Sequence, residues 1–145
     1  MPETILLVED NPHDVLLLQL AFQRASLATR LEVVGDGEAA IAYLSGQAPY
    51  GDRHRYPLPI LVLLDLKMPR RSGFDVLAWL QQQPGLQRLP VVVFTASDDV
   101  TDINRAYDLG ANAYVVKPVA FAALVDLVQV LDAFWMQLNR PPTIP

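Results

Sequence analysis

Five short apolar runs recur along the chain, each followed by a stretch of helical length, and this alternation limits the fold more than any other feature. The runs are residues 4–8 (TILLV), 31–34 (LEVV), 60–64 (ILVLL), 91–94 (VVVF) and 113–116 (AYVV). Their hydrophobicity is nearly continuous rather than alternating, which fits strands covered on both faces, as in a parallel sheet. Parallel neighbours need crossover connections, and right-handed crossovers leave few topologies. The expected fold is therefore α/β, a doubly wound sheet of five parallel strands with five helices.

The stretches between the runs carry helix signals. Asn11-Pro12 reads as an N-cap with proline in the first turn, opening a helix through Val15, Leu18 and Phe22 to about Ala28. Gly35-Asp36-Gly37 is a turn, and residues 38–44 form a second, short helix. A third occupies residues 74–83, after Arg71-Ser72-Gly73, and stops at Pro84-Gly85. The fourth starts at Asp98 or Asp99 and closes at Gly110. The last runs from about Ala120 to Leu138, and residues 139–145, with three prolines, read as a tail. Residues 46–59 make the one long connection, with Pro49, Gly51, Pro57 and Pro59 around Arg53-His54-Arg55. A loop of that length is expected to be functional or mobile.

Composition removes several function classes. A chain of 145 residues is near the usual size of one domain, and the core is expected over residues 4–138. With no cysteine there is no disulfide framework, thiolate metal site or cysteine nucleophile. A formal charge of −5 gives no general pull toward phosphate backbones, so nucleic acid is not an expected partner. The clean apolar runs are far shorter than a bilayer crossing, and Met1-Pro2-Glu3-Thr4 lacks the basic start of a signal peptide. No membrane association is expected, and the cytoplasm is the expected location.

In a doubly wound sheet, ligands bind beyond the carboxyl ends of the strands. The residues at those ends here are Glu9 and Asp10, Asp65, Thr95, and Lys117 with Pro118. Converged on one edge, they make three carboxylates, one hydroxyl and one ammonium. Nearby carboxylates repel, and a single lysine offsets only part of that charge. The remaining demand is for a hard divalent cation with oxygen ligands, and Mg²⁺ suits it. A metal-bound carboxylate facing a lysine and a hydroxyl can act as a nucleophile toward a phosphoryl group. One acid at one strand end would be an ordinary helix cap. The set at four of five strand ends is not.

These residues sit in the motifs Leu7-Val8-Glu9-Asp10-Asn11, Leu63-Leu64-Asp65-Leu66-Lys67-Met68-Pro69, Ser72-Gly73, Val93-Phe94-Thr95-Ala96 and Val116-Lys117-Pro118. With them the chain resembles a response-regulator receiver domain of two-component signalling, from Thr4 to Leu138. The resemblance implies a flavodoxin-like strand order 2-1-3-4-5 and a phosphoryl group carried on Asp65, received from a histidine kinase. It implies Mg²⁺ bound by Asp10, Asp65 and the backbone carbonyl of Lys67, with Glu9 acting through water. It gives Thr95 and Lys117 the phosphoryl oxygens, makes Thr95 and Tyr114 a switch pair, and implies a cis Lys117-Pro118 bond. Gly73 reads as a turn needing an unusual backbone angle.

Some features depart from the general pattern. Glu9 stands where many members have aspartate. Lys67 and Ser97 lie two residues past Asp65 and Thr95, where the family tunes how fast the phosphoryl group is lost, and Lys67 is expected to lengthen its lifetime. No output domain is expected after the last helix, and the module is expected to signal by its own conformational change, either to a terminal reader or through a downstream phosphotransfer protein. The last helix has more apolar residues than one sheet-facing stripe needs. Leu124, Leu127, Val128 and Leu131 would face the sheet. Phe121, Val125, Phe134 and Trp135 are left for a homodimer interface. The long connection and this helix resemble the regulators that accompany bacterial phytochromes, which implies a phytochrome-type kinase as donor. Arg53-His54-Arg55 would either dock that kinase or be solvated. An aspartate-nucleophile phosphatase wants a second acid where Lys67 stands. A pseudo-receiver that only dimerises or docks is the alternative, and it would be expected to have lost the acids or the lysine.

Overall fold

The computed structural model describes residues 3–145. Its strands are β1 (Thr4–Val8), β2 (Arg30–Val34), β3 (Leu61–Leu64), β4 (Val91–Thr95) and β5 (Ala113–Val116). Its helices are α1 (Pro12–Arg24), α2 (Gly37–Ser45), α3 (Gly73–Gln81), α4 (Val100–Asp108) and α5 (Phe121–Leu131). All strand pairs are parallel, in the order β2-β1-β3-β4-β5. The expected doubly wound sheet and its order are both observed. β1, β3 and β4 are buried along their whole length, whereas the edge strands β2 and β5 are only partly so. That difference is why the central runs read as unbroken hydrophobicity.

Two cores form, one on each face. α1 and α5 cover Ile5, Leu7, Leu61, Leu63, Val92 and Phe94. α2, α3 and α4 cover Leu6, Val8, Val62, Leu64, Val91 and Val93. Burying each such side chain contributes on the order of 2 kcal/mol, so these alternating strand residues fix both register and facing.

Helix starts follow the expected chemistry. The Asn11 side chain accepts from the N–H groups of His13 and Asp14, and Asp36 caps α2 through the Ala39 N–H at 2.7 Å. Ser72 and Asp75 form a reciprocal capping box on α3. Helix ends are less regular than expected. α1 stops at Arg24 rather than near Ala28, because Ser26 turns to a positive φ and the chain enters β2. The last helix leaves α geometry at Asp132 and continues as a π-helical segment, Asp132–Leu138. The buried Asp132 accepts from Thr29 at 3.0 Å and from Gln137 at 2.7 Å there.

Three expectations are corrected. Gly73 has no positive φ; a Cβ there would lie 2.2 Å from the Asp65 carbonyl oxygen, so glycine is required by close approach. The left-handed backbone falls at Arg70 and Arg71 instead. The cis bond among the described residues is Ala48-Pro49, and Lys117-Pro118 is trans. Lys117 reaches its carboxylate partners from the trans form. The long connection is also packed rather than loose. Tyr43, Tyr50 and Tyr56 cluster with ring centroids 5.1–6.0 Å apart, Tyr56 edge-on to both of the others. The Arg53 guanidinium donates to the Tyr43, Leu44 and Tyr56 carbonyls, closing the end of α2. Arg53 is thereby used structurally, while His54 and Arg55 stay exposed.

The expected tail is docked. Arg88 donates to the Thr143 carbonyl at 3.2 Å, and Ile144 packs against the core beneath α2, α3 and α4. By length and composition Phe121–Leu138 is also apolar enough to cross a membrane, which corrects the expectation that no segment is. In this fold it covers the sheet through Leu124, Val128 and Leu131.

Candidate functional site

The sheet ladder continues past the strand ends and sets the backbone of Glu9, Asp65 and Lys117. The Glu9 N–H donates to the Val34 carbonyl at 3.0 Å, and the Asp65 N–H to the Val8 carbonyl at 3.0 Å. The Lys117 N–H donates to the Thr95 carbonyl at 2.8 Å. These three candidate side chains therefore leave from hydrogen-bonded backbone and not from free loops, which holds their geometry.

Glu9, Asp10 and Asp65 each bring a carboxylate oxygen within 4.8 Å of the others. Glu9 and Asp65 are buried, while Asp10 faces solvent. Lys117 Nζ donates to Glu9 Oε1, to Asp14 Oδ2 at 2.9 Å, and stands 3.6 Å from Asp65 Oδ2. Thr95 is fully enclosed and lines the same cleft of about 470 Å³. All five strand-end residues thus meet as expected. A larger cleft, about 660 Å³ between α2, the long connection and α3, shares none of them.

The charges are unbalanced. Burial pushes the Glu9 carboxyl up to about 7; the Lys117 hydrogen bond opposes that shift and the Asp65 charge adds to it. Burial pulls the Lys117 ammonium down, but its bonds to Glu9 and Asp14 and the Asp65 charge outweigh this, and its pKa is raised. One ammonium facing this many carboxylates leaves negative charge to offset. Clustered carboxylate oxygens, with one acid open to solvent, fit a hard divalent cation that keeps part of its water shell.

Tyr114 is half-buried at the β5 edge, packed against the core, and its hydroxyl donates to the Ser97 carbonyl at 2.9 Å. The Lys67 ammonium lies at the same cleft and pairs with Asp102, at 3.5 Å, rather than with Asp65. Of the expected interface residues, Phe134 is exposed, while Phe121, Val125 and Trp135 are half-buried against the α1/α5 core. Exposed Val130 and Leu138 accompany Phe134 instead.

Sequence reasoning missed two acids. Asp14 is the second hydrogen-bond acceptor of Lys117. Its signal was its place four residues after Asp10, in the first turn of a helix that starts at the site edge. Asp102 accepts from the Ser97 hydroxyl at 2.7 Å, a contact between loop and helix that no spacing announces.

Comparison with known proteins agrees with this geometry. Residues 5–129 match the family model for the response regulator receiver domain. The response regulator Rcp1 of Synechocystis sp. is 38% identical over 141 residues, covering 97% of this chain and 94% of that one. A response regulator in red light signalling of R. palustris has a solved structure with a TM-score of 0.92 and 39% identity, over 99% of both chains. The phosphorylated cyanobacterial phytochrome response regulator RcpA gives a TM-score of 0.89 at 35% identity, over 99% of this chain and 100% of that one. Rcp1 itself has been solved in a Mn²⁺-bound form, at a TM-score of 0.85 and 37% identity over 98% of this chain and 100% of its own. The chain belongs to the response-regulator receiver-domain family, the phosphoacceptor modules of two-component signalling.

Proposed function

We propose that Asp65 takes a phosphoryl group from the phosphohistidine of a phytochrome-type histidine kinase, and that the protein signals through the resulting change in its surface. The observation that carries this reading is the meeting of Asp65, Lys117, Thr95 and the Glu9/Asp10 pair in one cleft at the carboxyl edge of the sheet. The phytochrome link is supported by the relatives at 35–39% identity, two of them named for phytochrome or red light signalling.

Asp10, Asp65 and the Lys67 carbonyl would hold Mg²⁺, with Glu9 reaching it through water. The bound ion would offset charge on the phosphoryl oxygens. An Asp65 carboxylate oxygen attacks phosphorus as the bond to the imidazole nitrogen breaks. Lys117 pairs with one phosphoryl oxygen, leaving one of its present carboxylate partners. The Thr95 hydroxyl donates to another. Thr95 and Tyr114 act as the switch, since movement of the β4–α4 segment toward the phosphoryl group would disturb the bond between Tyr114 and the Ser97 carbonyl. Val130, Phe134 and Leu138 form an exposed apolar strip that supports a homodimer, with Phe121, Val125 and Trp135 behind it.

The test is incubation with a small acyl phosphate donor and Mg²⁺, read by intact mass. The protein is expected to gain one phosphoryl group, and to gain none as Asp65→Asn or after chelation of the metal. Phosphate uptake by Asp65→Asn at the wild-type level would overturn the assignment.

A further inference from the structure

Asp102, on the first turn of α4, joins parts of the site rim that no shared element holds. Its Oδ2 accepts the Ser97 hydroxyl at 2.7 Å and lies 3.5 Å from the Lys67 ammonium. Ser97 in turn accepts the Tyr114 hydroxyl at its carbonyl, at 2.9 Å. One carboxylate therefore links the loop after β3, the loop after β4, α4 and, through Ser97, β5. The Asp102 side chain is 19% exposed and that of Lys67 is 68% exposed, so the hydroxyl bond is sheltered while the ammonium can swing. The neighbouring cation on α4, Arg105, lies over the Phe74 ring at 4.1 Å.

We infer that Asp102 is a positioning residue that holds Lys67 away from the phosphoacceptor and thereby sets the lifetime of the phosphoryl group. The inference rests on Asp65 being the phosphoacceptor. A phosphoryl group there presents new negative charge two residues from Lys67, so the ammonium has two anionic claimants. Exposed ion pairs are weak, and the exchange between them is easily tilted. Where Asp102 keeps Lys67, water has an open line to phosphorus. Where Asp102 loses its charge, Lys67 turns to the phosphoryl oxygens and its stem crosses that line.

Asp102→Asn removes the charge but keeps an oxygen to accept from Ser97, so loop and helix stay joined. The measurement is the rate of phosphate loss after loading with acyl phosphate, for the wild type, Asp102→Asn, Lys67→Ala and the double variant. Asp102→Asn is expected to slow the loss about threefold, the scale of an exposed ion pair, and to have no effect when Lys67 is already alanine. An equal effect in both backgrounds, no effect in either, or faster loss in Asp102→Asn would overturn the inference while leaving the phosphoacceptor reading intact. A wild type that never takes up phosphate would end both.

Discussion

α4 and α5 border the same edge strand from opposite faces, and different forces hold them. α5 buries Leu124, Val128 and Leu131 against the sheet and starts at Ala120 with no side-chain cap. α4 buries only Ala106. It is fastened by directional contacts: the Asp99 cap on the Thr101 N–H at 2.8 Å, the Ser97–Asp102 bond at 2.7 Å, and Arg105 over Phe74. Burial is non-directional and sums to several kcal/mol, whereas each polar contact is worth about 1 kcal/mol and fails if its partner moves by an ångström or so. The difference separates a helix that stays put from one that can answer a small shift in the Thr95–Ser97 segment. α5 is held by a sum of buried contacts; α4 is held by contacts that can be undone one at a time.

The largest test of that contrast removes burial. Leu124→Ala should cost about 3 kcal/mol, because the emptied space faces strand residues that cannot collapse into it. A urea midpoint reads the loss directly. A cost below about 1 kcal/mol would mean that α5, too, is held chiefly by something other than its stripe.

Removing a directional contact should do less and act locally. Asp99→Ala deletes the side-chain acceptor at the start of α4 and should cost about 1 kcal/mol. Amide hydrogen exchange should rise in α4 while protection in α5 is unchanged. Equal loosening of both helices would show that they behave as one cooperative unit and would remove the basis for assigning them separate roles.

The same division explains what could be read from the sequence. Strands were legible because β1, β3 and β4 are buried on both faces and so leave unbroken apolar runs. The site was legible because Glu9, Asp10, Asp65, Thr95 and Lys117 each sit at a strand end, and parallel topology brings strand ends together. Burial periodicity and strand position are written locally. The contacts made by Asp14, Asp102 and Arg53 are not, since each depends on where a second element lies in space. Arg53 looked like part of a basic loop and instead closes α2. Residues 139–145 looked free and instead reach the core through Ile144. The apolar surplus of the last helix was visible, but half-burial of Phe121, Val125 and Trp135 was not, because the 3.6-residue period says which residues share a face and not how far a neighbour covers it.

The smallest effect separates charge from cap at α2, which buries Ile41, Tyr43 and Leu44 but starts on an aspartate cap as α4 does. Asp36 accepts the Ala39 N–H at 2.7 Å and Arg70 Nε at 2.9 Å. Burial works against its charged form, but the Ala39 N–H and the Arg70 guanidinium outweigh it and hold the carboxyl below its usual 3.8. A carboxylate with a lowered folded pKa adds stability that is present above its unfolded pKa and is lost as pH falls through the folded value. Asp36→Asn keeps a good N-cap and removes the titration. In urea midpoints taken from pH 6 downward, the wild type should lead the variant at pH 6, and the gap should begin to shrink as the pH falls below 3.8 and be gone below the lowered folded value. The gap should be smaller than the loss in Asp99→Ala, because Asn still caps the helix and only the exposed end of the Arg70 pair is given up. A constant gap across that range would mean that the Asp36 contribution is hydrogen-bond geometry alone, and that the polar fastening of these helices is insensitive to charge.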